Sequence, residues 1–149
     1  MEIQKDFSEL LALLNARGVE YLIVGGYALA FHGAPRFTGD IDIWIKPDAD
    51  NAKRILEALD AFGFGSLDLK AEDFTVPDMV IQLGVPPVRV DFLTSLSGVS
   101  WKEAQGGRAA GNYGDVPVYF IGRTEFVTNK RITGRKKDVA DLEAIDETA

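Results

Sequence analysis

Cysteine is absent from this 149-residue chain, and histidine occurs once. The first absence removes disulfides and thiolate-bound zinc. With a lone imidazole, His32, and no thiol, the partners of a nucleophilic triad or a zinc hydrolase are missing too. No apolar run approaches the ~18 residues of a membrane span, so no membrane role is expected. The start, MEIQKDFSELLALL, sets two acids ahead of its apolar positions and shows no cleavage pattern, so no secretory leader is expected. These features suit a cytoplasmic protein. Basic residues are in deficit: 16 Lys and Arg face 23 Asp and Glu, a net charge of −7. That balance argues against non-specific coating of nucleic acid.

What is present is an ordinary globular composition, 46% apolar and 26% charged. The length suits one domain over residues 1–149. Charge is unevenly placed. Between 123 and 137, six bases (Arg123, Lys130, Arg131, Arg135, Lys136, Lys137) accompany one acid, Glu125, so the segment carries +5 and the remainder −12. An acidic body with one basic segment suits a small anionic ligand or one limited docking face.

Within 7–17, Phe7, Leu10, Leu11 and Leu14 share a helical face that Gly18 ends. YLIV (21–24) reads as a strand buried on both sides. Gly25-Gly26 break it, and YALAFHG (27–33) reads as a short helix. DIDIWI (40–45) alternates strictly, as a strand does. Pro47-Asp48 opens a helix with Ala52, Ile55, Leu56, Leu59 and Phe62 on one face, closed by Gly63. No continuous element is expected over 66–78. MVIQLGV (79–85) and VRVDFL (88–93) read as a hairpin around Gly84 and Pro86-Pro87. The stretch 98–115, with five glycines, reads as loop with one helical turn near Trp101–Ala104. VPVYFI (116–121) is a further strand, and helices follow near 124–132 and 136–147. The order describes a single α/β or α+β domain.

In DIDIWI the two-residue period puts Asp40, Asp42 and Trp44 on one face and the isoleucines on the other. The two carboxylates are then about 6.6 Å apart at Cα and point the same way. Arg89, Asp91 and Leu93 share one face of VRVDFL, so Asp91 joins the pair if the strands are neighbours. At about 4 Å and an effective dielectric of ~20, each such pair costs on the order of 4 kcal/mol. Either one carboxylate protonates or a cation neutralises them. Oxygen ligands without His or Cys favour Mg²⁺ or Mn²⁺ over zinc. A D-I-D-I pattern alone is more simply the solvent face of a half-buried strand. Gly-Gly alone is more simply a strand-to-helix turn. Gly-Gly at a strand end thirteen residues before the acidic strand is more specific, because bare backbone and a helix N-terminus suit phosphate.

At these residues the sequence resembles the nucleotidyltransferase superfamily with the polymerase-β-like palm. Its signature is an apolar residue, Gly-Gly or Gly-Ser, a spacer, then Asp/Glu-h-Asp/Glu-h. VGGYALAFHGAPRFTGDIDI supplies Val24, Gly25, Gly26, the spacer and Asp40-Ile41-Asp42-Ile43; Asp91 is similar to the third acid. The ending TNKRITGRKKDVADLEAI is similar to the tail of small bacterial stand-alone members, including relatives of abortive-infection-type toxins. The resemblance covers nearly the whole chain. It implies a nucleotidyltransferase-like mixed sheet flanked by helices. It also implies Mg²⁺-dependent (or Mn²⁺-dependent) transfer of NMP from an NTP to an acceptor hydroxyl.

By the same resemblance Asp40, Asp42 and Asp91 are the catalytic and metal-binding residues, and Gly25 and Gly26 hold the triphosphate. Lys130, with Asp138, lines the cleft as a phosphate-binding charge. Gly26 stands where many members carry serine. Arg36, in the spacer, is a candidate for a bidentate phosphate contact or an ion pair with Asp40. Plainer readings accompany these: a solvated helix end for Lys130, a helix-start acid for Asp138, a structural His32, and packing rather than base stacking for Trp44. The acceptor is open among RNA such as tRNA, a protein hydroxyl and a small molecule such as an aminoglycoside. The alternative function is a non-catalytic, partner-binding member of the fold, for example a toxin–antitoxin component.

Overall fold

A computed structural model describes residues 3–34, 39–65, 68–85 and 88–147. Arg36 and the Pro86-Pro87 turn lie outside the described residues. Helix α1 (Lys5–Ala16) buries the expected face, Phe7, Leu10, Leu11 and Leu14. Strand β1 (Tyr21–Val24) is buried along its whole length and leads directly into α2 (Gly25–Phe31). The glycines expected to precede this helix therefore form its first turn. Strand β2 (Asp40–Ile45) is followed by α3 (Ala49–Leu59), whose N-cap Asp48 accepts from Asn51 N. A π-helical turn over Asp60–Phe64 ends this segment where Gly63 takes φ 108°.

After a single 3-10 turn come β3 (Val80–Val85) and β4 (Val88–Leu93), the expected hairpin. The reading of 98–115 as mostly loop is corrected. Helix α4 (Trp101–Gly106) is longer than one turn because Ser100 and Glu103 form a capping box. Strand β5 (Ala109–Tyr113) follows and pairs antiparallel with β6 (Val116–Phe120). Its sequence, AAGNY, is poor in strand formers; it is held by pairing with β6 and by Tyr113, fully buried, whose hydroxyl accepts from Gln4 N at 2.8 Å. Helices α5 (Arg123–Thr133) and α6 (Lys136–Ala144) finish the chain, separated by Gly134 in the left-handed region.

The six strands form one mixed sheet in the order β3-β4-β2-β1-β6-β5. Strand β2 sits between β1, antiparallel to it, and β4, parallel to it. Ile41, Ile43 and Ile45 are fully buried in one core cluster with the apolar faces of α1 and α3. The opposite face of β2 carries Asp40, Asp42 and Trp44, of which only Trp44 is sealed off, edge-on to Trp101 of α4 with ring centroids 5.2 Å apart.

Helices α5 and α6 are locked together by a buried ionic network. Asp138, with no exposed surface, accepts from Thr133 Oγ1 (2.7 Å), from Arg135 N, Nε and Nη2 (3.1, 2.8 and 3.1 Å), and from Lys130 Nζ (3.3 Å). Lys130 also reaches Asp141 at 3.2 Å. Burial alone pushes the Asp138 carboxyl up, but these donors outweigh it and hold it well below the ordinary carboxylate range. Asp138→Ala is expected to cost about 3–5 kcal/mol, since it removes a fully buried carboxylate that Thr133, Arg135 and the buried Lys130 all bond. Urea denaturation measures this, and a loss under about 1 kcal/mol contradicts a structural role for the network.

Candidate active site

Two strand registers build the site. Between β2 and β4, Asp40 lies opposite Arg89 and Asp42 opposite Asp91. Between β1 and β2, Val24 lies opposite Asp42, which sets the next residue, Gly25, against the Asp42 carboxylate. Gly25 takes φ 68°, and a Cβ built on it would overlap Asp42 Oδ2. Glycine is needed there on both counts.

Asp42 is half-buried and its pKa is pushed up to about 6. Burial is the main cause, followed by the charges of Asp91 and Asp40; Lys137 pulls the other way. Asp91 lies opposite Asp42 in the β2–β4 register, so the two carboxylates crowd each other. Asp91 is 8% exposed. Arg89 grips it with two hydrogen bonds, Nε to Oδ1 at 3.1 Å and Nη2 to Oδ2 at 3.2 Å, and lies 3.8 Å from Asp40 Oδ2.

A cleft opens over these groups. Gly25, Gly26, Asp40 and Asp42 lie on one side of it, with Leu93 and Leu96 adjacent; α5 contributes Phe126, Asn129 and Lys130. Arg135 and Lys137, both exposed, complete it. The structure thus gathers Gly25, Gly26, Asp40, Asp42 and Lys130 in one place, with Asp91 beside Asp42. Lys130 is paired with Asp138 and Asp141, and Arg135 with Asp138. Among the described residues none is ion-paired with Lys137.

Lys137, Asn129 and Arg89 are the site residues that sequence reasoning did not single out. Arg89 had a signal, two positions before Asp91 on the same strand face; Lys137 was hidden within a run of bases. His32 contacts Ile121 O through Nε2 at 2.8 Å, a structural bond. Trp44, 1% exposed behind Trp101, packs and does not face the cleft.

Oxygen ligands without thiolate or imidazole are the donor set that suits Mg²⁺ or Mn²⁺. Among the described residues no group of three or more His, Cys, Asp or Glu is placed to hold a metal ion by itself. Mg²⁺ rarely uses one; one or two carboxylates plus substrate phosphates are its usual set. The neighbouring carboxylates of Asp42 and Asp91 match that number of protein ligands.

Known proteins give a consistent picture. A family model for aminoglycoside-2''-adenylyltransferases matches residues 6–132. A crystal structure from Thermotoga maritima, of a protein regarded as a nucleotidyltransferase, superposes with a TM-score of 0.62 at 15% identity. The match covers 92% of this chain and 88% of that one. At that identity the likeness concerns the fold. No curated protein matches the sequence significantly.

The raised Asp42 pKa has a signed consequence. An unfolded aspartate titrates near 3.9, so between about pH 4 and the folded value of about 6 the native state holds the extra proton, and stability falls as pH rises. Asp42→Asn removes that cost. In metal-free buffer the variant is expected to be more stable than wild type by about 2–3 kcal/mol at about pH 8, and no more stable at about pH 4. A difference independent of pH contradicts the assignment.

Proposed function

The chain belongs to the aminoglycoside-2''-adenylyltransferase family, and from that footing we propose that it moves AMP from ATP onto an acceptor hydroxyl, using Mg²⁺ or Mn²⁺. Nucleotide transfer in general is what family and fold support. ATP as donor, and a small polyhydroxylated acceptor of the aminoglycoside kind, are carried over from the family's description. The observation that carries the reading is the Asp42–Asp91 pair directly beneath the Gly25 turn.

Asp42 and Asp91, with Asp40 beside them, are the residues that would hold the divalent ion. When bound, it supplies positive charge to the triphosphate and to the attacking oxygen. The acceptor hydroxyl oxygen bonds to the α-phosphorus and gives its proton to Asp91. The bond from that phosphorus to the bridging oxygen breaks, and pyrophosphate leaves with the electron pair. Gly25 presents bare backbone to the phosphates. Helix α2 begins without a side-chain cap among the described residues, leaving its first N–H groups for an anion. Lys137 supplies a cation to the outer phosphates. Lys130 and Arg135, tied to Asp138 and Asp141, hold the α5–α6 wall in place.

A separate observation favours partner binding as a second reading. Edge strand β3 exposes Val80 (54%) and Val85 (75%), with Met79 beside them (38%), a surface suited to strand addition. That reading makes no use of Asp42.

Incubation with α-labelled ATP, Mg²⁺ and, in parallel, an aminoglycoside with a free 2''-hydroxyl, RNA and protein separates these outcomes. Label is expected on the aminoglycoside, and Asp42→Ala is expected to lower turnover by roughly 10³-fold, as loss of a central electrostatic group does. Transfer by the mutant at the wild-type rate would refute the reading.

A further inference from the structure

Arg89 has no part in the reaction as described, yet among the described residues it is a cation hydrogen-bonded directly to one of the three acids. It stands two residues before Asp91 on the same face of β4 and directly opposite Asp40 on β2. Its guanidinium takes one oxygen of Asp91 with Nε and the other with Nη2, while Nη1 lies 3.8 Å from Asp40 Oδ2. The four residues form a two-by-two patch: Asp40 beside Arg89 in one row, Asp42 beside Asp91 in the other. The first row is neutral. The second sets two like charges side by side.

We propose that Arg89 is the resident counter-ion of this patch, a positioning residue that holds Asp91 and Asp40 in place until a divalent cation displaces it from Asp91. The proposal rests on reading the cleft as a divalent-cation site. A planar fork that occupies both Asp91 oxygens leaves that carboxylate no undirected charge for a metal. A guanidinium and a divalent ion on one carboxylate also repel each other. Arg89 is 31% exposed in its side chain, so solvent adjoins it and it can turn away without opening the core. The bare protein therefore binds metal weakly. Occupancy of the site depends on a further anionic ligand, the triphosphate, to complete the metal's oxygen set. The device keeps the three acids arranged when no substrate is present and couples metal binding to nucleotide arrival.

The test is Mn²⁺ binding followed by the electron paramagnetic resonance signal of free Mn²⁺. Wild type, Arg89→Met and Arg89→Lys are compared without nucleotide and with a non-hydrolysable ATP analogue. Without nucleotide, Arg89→Met is expected to bind Mn²⁺ on the order of tenfold more tightly than wild type, in the range that outer-shell changes produce. Arg89→Lys, which keeps the charge but not the fork, is expected to fall between them. In EDTA, Arg89→Met is expected to melt at a lower temperature than wild type, and Mn²⁺ to restore it.

Equal or weaker binding by Arg89→Met, with wild type binding Mn²⁺ in the presence of the analogue, overturns the counter-ion role and leaves the metal site standing. Absence of Mn²⁺ binding by every protein, with and without the analogue, overturns both. If Arg89→Met does not fold, Arg89→Lys decides: binding no tighter than wild type overturns the proposal.

Discussion

Two carboxylates pressed together in a half-closed space, Asp42 and Asp91, set the terms for the groups around them. Like charges side by side are tolerated only when something offsets part of the charge. Here the Arg89 fork does so on the outer side of Asp91, and the strain within the pair shows as the raised pKa of Asp42. The approach itself depends on backbone. Parallel pairing of β2 with β4 places Asp42 opposite Asp91, and antiparallel pairing of β1 with β2 brings the Gly25 turn against the Asp42 carboxylate. Any side chain at 25 would push that carboxylate away.

The cations of the site divide by what they are bonded to. Lys130 and Arg135 are bound into the Asp138–Asp141 network, where they join α5 to α6. Lys137 lies in the same cleft outside that network, and its charge is felt at Asp42. Arg89 is committed to the carboxylates. A basic stretch that looks uniform in sequence thus contains charges inside the buried network and charges outside it, distinguished by burial and partners.

Much of the site was legible because it is local. Alternation in DIDIWI gave the shared face of Asp40 and Asp42, and Gly25-Gly26 before it marked the turn that lies against the Asp42 carboxylate. The third acid was legible as a type of residue on a strand, but its placement beside Asp42 depends on a parallel register, which no local pattern carries. Strand β5 was missed because AAGNY owes its extended form to its partner β6, not to its own propensities. The Ser100–Glu103 capping box and the Gly114-Asp115 turn were its flanking signals, obscured by the glycine content of the stretch. Trp44 shows the reverse case: its face was read correctly, but Trp101, 57 positions later in the chain, decides that it is buried.

The most direct measurement is anomalous diffraction from crystals grown with Mn²⁺ and a non-hydrolysable ATP analogue. The expected map has a manganese peak within coordination distance of Asp42 and Asp91, with the triphosphate running past Gly25 towards Lys137. A nucleotide bound elsewhere on the protein, or manganese bound without Asp42, would contradict the central assignment.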